Sequence, residues 1–246
     1  MSTVIAIINH KGGVGKTTST INIGAGLVKL GKRVLLIDLD PQANLSQSLG
    51  IHEPPATIYG AIQGKHPLQP IPVHKRLDVI PSTLGLSGAE RELIEQDVKG
   101  REYILRELLD TVKGSYDYVI IDSPPSLGLL TVNALTSADE ILIPLQAQYL
   151  ALQGLTKLLE IVDKIQKGLN KGLRIGGVFI TQYDSRKILN RNVAETIESH
   201  FKETVFKTRI RDNVALAEAP TKGEDIFRYN PHSLSLIHIS EPTRPY

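Results

Sequence analysis

A chain of 246 residues with 41% hydrophobic side chains is long and apolar enough to bury the core of one large α/β domain or two small ones, which excludes disorder and a stapled miniprotein. The absence of cysteine excludes disulfides, thiolate-bound zinc, iron–sulfur clusters and cysteine nucleophiles, and fits a reducing cytoplasm; the seven histidines lack metal-ligand spacing. A net charge of +2 and a pI of about 8.7 lie below the level at which bulk charge alone signals a nucleic-acid binder.

The first predicted element is Thr3 to Ile8, whose continuous Val/Ile/Ala character suits a strand buried on both faces. It leads into His10-Lys11-Gly12-Gly13-Val14-Gly15-Lys16-Thr17-Thr18, and a helix is predicted over Thr17 to Leu30 with Gly31 as its stop. Gly12, Gly13 and Gly15 let the backbone approach an anion and turn N–H groups inward, at the positive end of the helix that follows. Lys16 would neutralise β- and γ-phosphate oxygens, and the Thr17 hydroxyl would ligate Mg²⁺. The general motif G-x-x-x-x-G-K-[ST] has a glycine where this chain has His10, and a second lysine, Lys11, stands inside the loop. Two lysines in so tight a loop repel each other without an anion between them. The run K-G-G-V-G-K-T-T resembles the deviant phosphate-binding loop of the ParA/MinD class of ATPases. That resemblance implies ATP contacts from Lys11, Gly12, Gly13, Val14, Gly15, Lys16, Thr17 and Thr18, with Lys11 crossing a dimer interface to the other subunit's nucleotide. Asn9 and the glycine loop interrupt the first apolar run, so no secretory signal is expected, and no run reaches the roughly 18 apolar residues needed to span a bilayer.

Arg33 to Asp38 is the second predicted strand, delivering carboxylates at the C-terminal end where open parallel sheets bind ligands. One isolated Asp there would simply cap the next helix. Two, Asp38 and Asp40, within Asp38-Leu39-Asp40-Pro41-Gln42, resemble the D-x-D-P-Q element of ParA/Soj proteins. By that resemblance Asp40 positions the attacking water and Asp38 supports the magnesium shell. Residues 50–72 carry five prolines around a short helical candidate, Thr57 to Gln63, and read as surface connection; a strand at Leu77 to Pro81 then re-enters the sheet. Arg101 to Val112 reads as an amphipathic helix. Tyr116 to Ser126 contains four apolar strand residues ending in Asp122, the form of a Walker B strand whose carboxylate holds Mg²⁺. The Pro-Pro-Ser-Leu-Gly-Leu-Leu-Thr that follows resembles the ParA loop that responds to nucleotide and contributes to the dimer face.

Further βα units are predicted from strands Ile141 to Pro144 and Ile175 to Thr181 and helices Gly154 to Asn170 and Asn192 to Phe201. Fold class is therefore α/β: a P-loop NTPase with a mostly parallel twisted sheet flanked by helices on both faces. Thr181-Gln182-Tyr183-Asp184 stands where a guanine-specific P-loop protein carries Asn-Lys-x-Asp, which favours ATP over GTP. From Lys164 to Arg211 there are eleven Lys and Arg against four Asp and Glu, a local +7 that leaves the remainder at −5. Such a segment permits a basic face for a polyanion, although charge runs are usually solvated surface. Phe206 to Pro220 resembles the family's C-terminal signature I-P-R-N-V-R-L-S-E-A-P but has Arg211, Asp212 and Ala215 in place of the proline and both arginines. Arg186, Lys187 and Arg191 follow Asp184 much as a basic cluster does in Soj-like proteins, and that resemblance makes them the DNA-binding candidates, with Arg209 and Arg211 as compensation.

The resemblance covers residues 1–231, read as one ATPase domain. The tail 232–246, with its serines, β-branched residues and prolines, does not make the family's final amphipathic helix and reads as foreign sequence. The implied protein is a ParA/Soj-type partition ATPase, cytoplasmic and nucleoid-associated, slow and partner-stimulated. It would form an ATP-dependent homodimer, bind double-stranded DNA without sequence preference and answer to a ParB-like centromere-binding protein, with no stable membrane association. The alternative is a MinD-like membrane-cycling ATPase or another ParA-like cargo-positioning relative.

Overall fold

The computed structural model describes residues 2–148 and 151–232. The expected foreign tail lies outside the described residues except for His232.

Seven strands form one sheet: β1 (Thr3–Ile7), β2 (Val34–Asp38), β3 (Ile71–His74), β4 (Leu77–Ile80), β5 (Tyr118–Asp122), β6 (Glu140–Gln146) and β7 (Arg174–Thr181). Their spatial order is β3-β4-β2-β5-β1-β6-β7, parallel throughout except for β3, which pairs antiparallel with β4. The helices of the first half are α1 (Lys16–Lys29), α2 (Asn44–Ser48), α3 (Ile58–Ile62), α4 (Ala89–Glu95) and α5 (Ile104–Asp110). Those of the second half are α6 (Leu129–Ser137), α7 (Ala151–Gly168), α8 (Ile188–Phe201), α9 (Val214–Glu218) and α10 (Ile226–Tyr229).

Strand alternation builds a core on each face. Val4, Ala6, Leu35, Ile37, Val119 and Ile121 point to one side, where α3, α5, α6, α7 and α8 cover them. Ile5, Ile7, Val34, Leu36 and Ile120 point to the other, under α1 and α2. Buried on both faces, these strands read as unbroken apolar runs instead of alternating ones. Each fully buried Leu or Ile contributes about 1.5–3 kcal/mol relative to exposure. Helix α1 sits so close to β2 that a Cβ at Gly24 would lie 2.7 Å from Leu36 Cδ2, so any larger residue there would have to displace the buried Leu36 side chain.

The region read as connection contains one strand more than expected. β3 takes in Pro72, the residue before it and the two after it, and it is an edge strand, where a missing N–H is tolerated; its pairing with β4 shifts register between Pro72 and His74. At the opposite edge, residues 205–211 run alongside β7. Phe206 N donates to Val178 O at 2.8 Å, Ile210 N to Ile180 O at 2.8 Å and Tyr183 N to Ile210 O at 3.0 Å. Among the described residues no helix is long and apolar enough to cross a membrane.

Candidate nucleotide-binding site

Strand register assembles the site. Ile7 and Asp38 both pair with Asp122, so the C-terminal ends of β1, β2 and β5 stand side by side, and the glycine loop leaves from the middle strand of the sheet's crossover point. Gly13 (φ 73°) and Gly15 (φ 88°) both hold the left-handed conformation, which lets the loop curl back before α1 begins at Lys16. Asn9 pins the start of the loop, donating to Pro144 O at 2.7 Å and accepting from Lys11 N at 3.0 Å.

His10, the departure from the general motif, packs its ring against α7. A Cβ at Gly154 would fall 1.6 Å from His10 Cε1, so the ring and the glycine are matched to each other. Burial, then the neighbouring Lys157, Lys16 and Lys11, hold His10 below the ordinary imidazole range, and its Nδ1 has no hydrogen-bond partner among the described residues. A neutral ring there adds no third cation to the loop.

Lys16 is 7% exposed and its ammonium donates to Lys11 O at 3.3 Å. Burial lowers its pKa against the pull of Asp122 and Asp40. Thr17 Oγ1 donates to Asp122 Oδ2 at 2.6 Å, while Asp122 Oδ1, fully buried, has no partner among the described residues. Burial and the adjacent Asp38 push the Asp122 carboxyl well above the usual carboxylate range. A hydroxyl, an orphaned carboxylate oxygen and room for phosphates form a hard-oxygen donor set that fits Mg²⁺. No cluster of three His, Cys, Asp or Glu among the described residues would hold a metal by protein ligands alone.

Asp38 is turned toward α2. Its Oδ2 accepts from Ser46 N at 2.9 Å and Ser46 Oγ at 2.7 Å, and its Oδ1 accepts from Asp40 N at 3.2 Å. Asp38 thus anchors the turn that carries Asp40, whose Oδ1 accepts from Gln42 N at 2.9 Å. Burial, the dominant influence, pushes Asp38 up to about 6 from 3.8 despite those bonds. Between these two values the folded chain holds a proton that the unfolded chain has released, so stability falls as pH rises through that window and levels above it. Urea unfolding without nucleotide at about pH 4.5 and about pH 7.5 should show wild type losing about 2 kcal/mol relative to Asp38→Asn. A gap between the two proteins that does not change with pH would contradict this assignment.

Lys11 donates to Gln148 Oε1 at 2.9 Å and Gln146 Oε1 at 3.3 Å. On the same side Thr181 Oγ1 donates to Val14 O and Gln182 Nε2 to Gly13 O, both at 2.9 Å. A cleft of about 700 Å³ opens from Gly15 and Thr18 along α1, with Gln182, Arg211 and Asp212 near the loop and Phe179, Phe206 and Phe227 along its apolar length. The end of β7 therefore lines the cleft through Phe179 and Thr181.

The basic candidates gather near the same end of β7 but differ in freedom. Arg186 forks onto Asp184, with Nε to Oδ1 and Nη2 to Oδ2 both at 3.0 Å, and holds that carboxyl down at about 2. Lys187 is the exposed N-cap of α8, and Arg191 Nη1 donates to Ser185 O at 2.8 Å. Arg209 is committed inward: it donates to Tyr183 Oη at 2.7 Å and Glu198 Oε1 at 2.5 Å and lies over the Tyr183 ring. Arg211 is exposed and pairs by backbone with Tyr183.

A family model described as an AAA domain matches residues 2–175. The chain is 46% identical over 234 residues to the chromosome-partitioning ATPase Soj of Treponema pallidum, covering 94% of this chain and 91% of that one. It is 47% identical over 238 residues to the sporulation initiation inhibitor protein Soj of Bacillus subtilis, covering 95% and 93%. The chain belongs to the Soj/ParA family. Among solved structures, cobyrinic acid a,c-diamide synthase from Mycobacterium smegmatis with bound ADP and magnesium superposes with a TM-score of 0.82 at 34% identity, covering 92% of this chain and 98% of that one. In this Soj/ParA chain the glycine loop and the acidic ends of β2 and β5 stand in one rim. What its sequence did not announce is the part played by Ser46, Gln146, Gln148 and Gln182, residue types too common in loops to stand out.

Proposed function

We propose that this chain is an ATP-dependent DNA-partition ATPase acting in chromosome or plasmid segregation. It closes into a dimer on ATP, binds duplex DNA without sequence preference and lets go on hydrolysis. The observation that carries this reading is the convergence of Lys16, Thr17, Asp40 and Asp122 beneath a glycine loop that also carries Lys11 on its outer rim.

The backbone N–H groups of Gly12 to Thr18 cradle the phosphates, and Lys16 neutralises the β- and γ-oxygens. Thr17 and Asp122 would hold Mg²⁺, which would supply charge neutralisation for the phosphates. Asp38 contributes fixed negative charge and the hydrogen bond that sets the Asp40 turn. Asp40 orients water for in-line attack. Lys11 of each subunit reaches the other subunit's phosphates, where a cation stabilises charge spreading in the transition state.

Two subunits joined at this rim place their Arg186, Lys187, Arg191 and Arg211 on shared surface, while Arg209 braces the segment from within. Neutralising several phosphates per subunit gives DNA binding that is sequence-independent and steeply salt-sensitive. A ParB-like partner stimulating turnover and a cytoplasmic, nucleoid-associated location complete the reading.

Duplex-DNA binding measured with ATP, with ADP and without nucleotide across a salt series tests it. ATP-dependent binding that persists in Asp40→Ala and weakens steeply with salt is expected. Nucleotide-independent or absent DNA binding with ATP binding intact would overturn it and favour a membrane-cycling relative, for which liposome sedimentation is the next measurement.

A further inference from the structure

The contacts of Lys11 continue beyond its own ammonium. Gln146, the last residue of β6, accepts from Lys11 through Oε1 and donates through Nε2 to Gln182 Oε1. Gln182, held at φ 50° just after β7, donates through its own Nε2 to Gly13 O at 2.9 Å. Gln148 Oε1 accepts from Lys11 at 2.9 Å.

An ammonium can only donate. Gln146 must therefore show Lys11 its carbonyl, which leaves its amide N–H₂ for Gln182. Gln182 must in turn present its carbonyl to Gln146 and its N–H₂ to the Gly13 carbonyl. The charge on Lys11 thus fixes the direction of every bond, and the chain of bonds begins and ends in the same loop, two residues apart. Its supports, β6 and β7, lie on the opposite side of β1 from Asp38 and Asp122.

We propose that this glutamine relay is a resting latch: Gln148 and Gln146 hold Lys11 on its own subunit, and Gln182 couples its release to the Gly13 carbonyl of the phosphate loop. The inference rests on the two-subunit reading above, in which Lys11 has to leave its own rim for another subunit's nucleotide. Neutral amide oxygens hold an ammonium less tightly than a carboxylate does, and Gln148 is exposed, so a polyanionic phosphate outcompetes them. A carboxylate at position 148 would oppose release. Gln146, Gln148 and Gln182 are positioning residues, acting through Lys11 and Gly13.

Two readouts on wild type, Gln148→Glu and Gln148→Ala test the latch. The first is the rate at which Lys11 is acylated in the nucleotide-free chain, followed by mass spectrometry, because a hydrogen-bonded ammonium reacts slowly. The second is the ATP concentration for half-dimerisation by sedimentation velocity, with Asp40→Ala as the common background so that ATP persists. Gln148→Glu should slow acylation and raise the ATP requirement about tenfold; Gln148→Ala should speed acylation and lower the requirement about threefold. Fluorescent-ATP affinity of the monomer should stay within about twofold in both, which a general disturbance of the loop would not allow. Gln146→Glu keeps an acceptor for Lys11 but loses the N–H₂, so it should slow acylation of Lys11 while speeding amide exchange in residues 12–14.

Equal Lys11 acylation in all Gln148 variants would overturn the latch, whatever the oligomeric state. A background chain that dimerises with ATP beside variants that do so at the same concentration would overturn it too and leave the two-subunit reading standing. A background chain that stays monomeric with ATP and Mg²⁺ overturns that reading itself.

Discussion

Lys16→Ala is expected to weaken ATP binding by about a hundredfold or more while leaving the fold in place. The ammonium is buried in a site that also holds Asp38, Asp40 and Asp122, and its only described hydrogen bond is the long one to Lys11 O. Burial already works against its charge, so a phosphate that supplies short charge-assisted bonds relieves a penalty as well as making contacts. Two such bonds at about 1.5–3 kcal/mol each account for the size of the loss. Stability should change little, because α1 is held by Ile21, Gly24 and Ala25 packed beneath it. Titration with a fluorescent ATP analogue, with circular dichroism as the folding control, measures both; an affinity within about threefold of wild type would remove Lys16 from the site.

Asp40→Ala is the complementary case, with ATP affinity kept and turnover reduced by about 10²- to 10³-fold. Asp40 sits at the rim with 7% exposure, and no described residue donates to its Oδ2. Its backbone N–H is tied to Asp38, which is tied to Ser46, so the carboxylate is presented by a braced turn. Removing the side chain takes away the group that orients water without touching the phosphate cradle. Single-turnover hydrolysis against nucleotide affinity separates the two effects. Turnover reduced less than about fivefold would assign the water to another residue.

The elements that carry the chemistry were legible because each couples a buried strand to a residue type with few other uses there: Val34–Asp38, Tyr118–Asp122 and the glycine loop after Thr3–Ile7. Other elements were silent for physical reasons. Helix α6 buries Leu130, Thr131, Asn133, Ala134, Leu135 and Thr136, so it shows no polar face and no helical period in its sequence. β3 is short and contains Pro72, which normally argues against a strand and is acceptable here only at an edge. Helix α8 begins at Ile188, four residues ahead of the predicted Asn192; Lys187 holds the N-cap position without a side-chain capping bond, so no capping residue type marks the start in the sequence. The restraint on Arg209 comes from Glu198 and Tyr183, residues brought to it by the turn of the chain around β7. The glutamine relay was hidden for the same reason, since its members meet only when β6 and β7 are paired.

The two borders of the sheet have a consequence for the reversible association proposed above. An open strand edge is a template on which any other chain can add backbone hydrogen bonds, and such pairing is hard to undo. Here one border ends in a short proline-bearing strand with an irregular register, and the other is overlaid by residues 205–211. Pairing of another chain onto the sheet is therefore disfavoured at both sides. On the two-subunit reading proposed above, that would leave subunits free to join and part at the nucleotide rim.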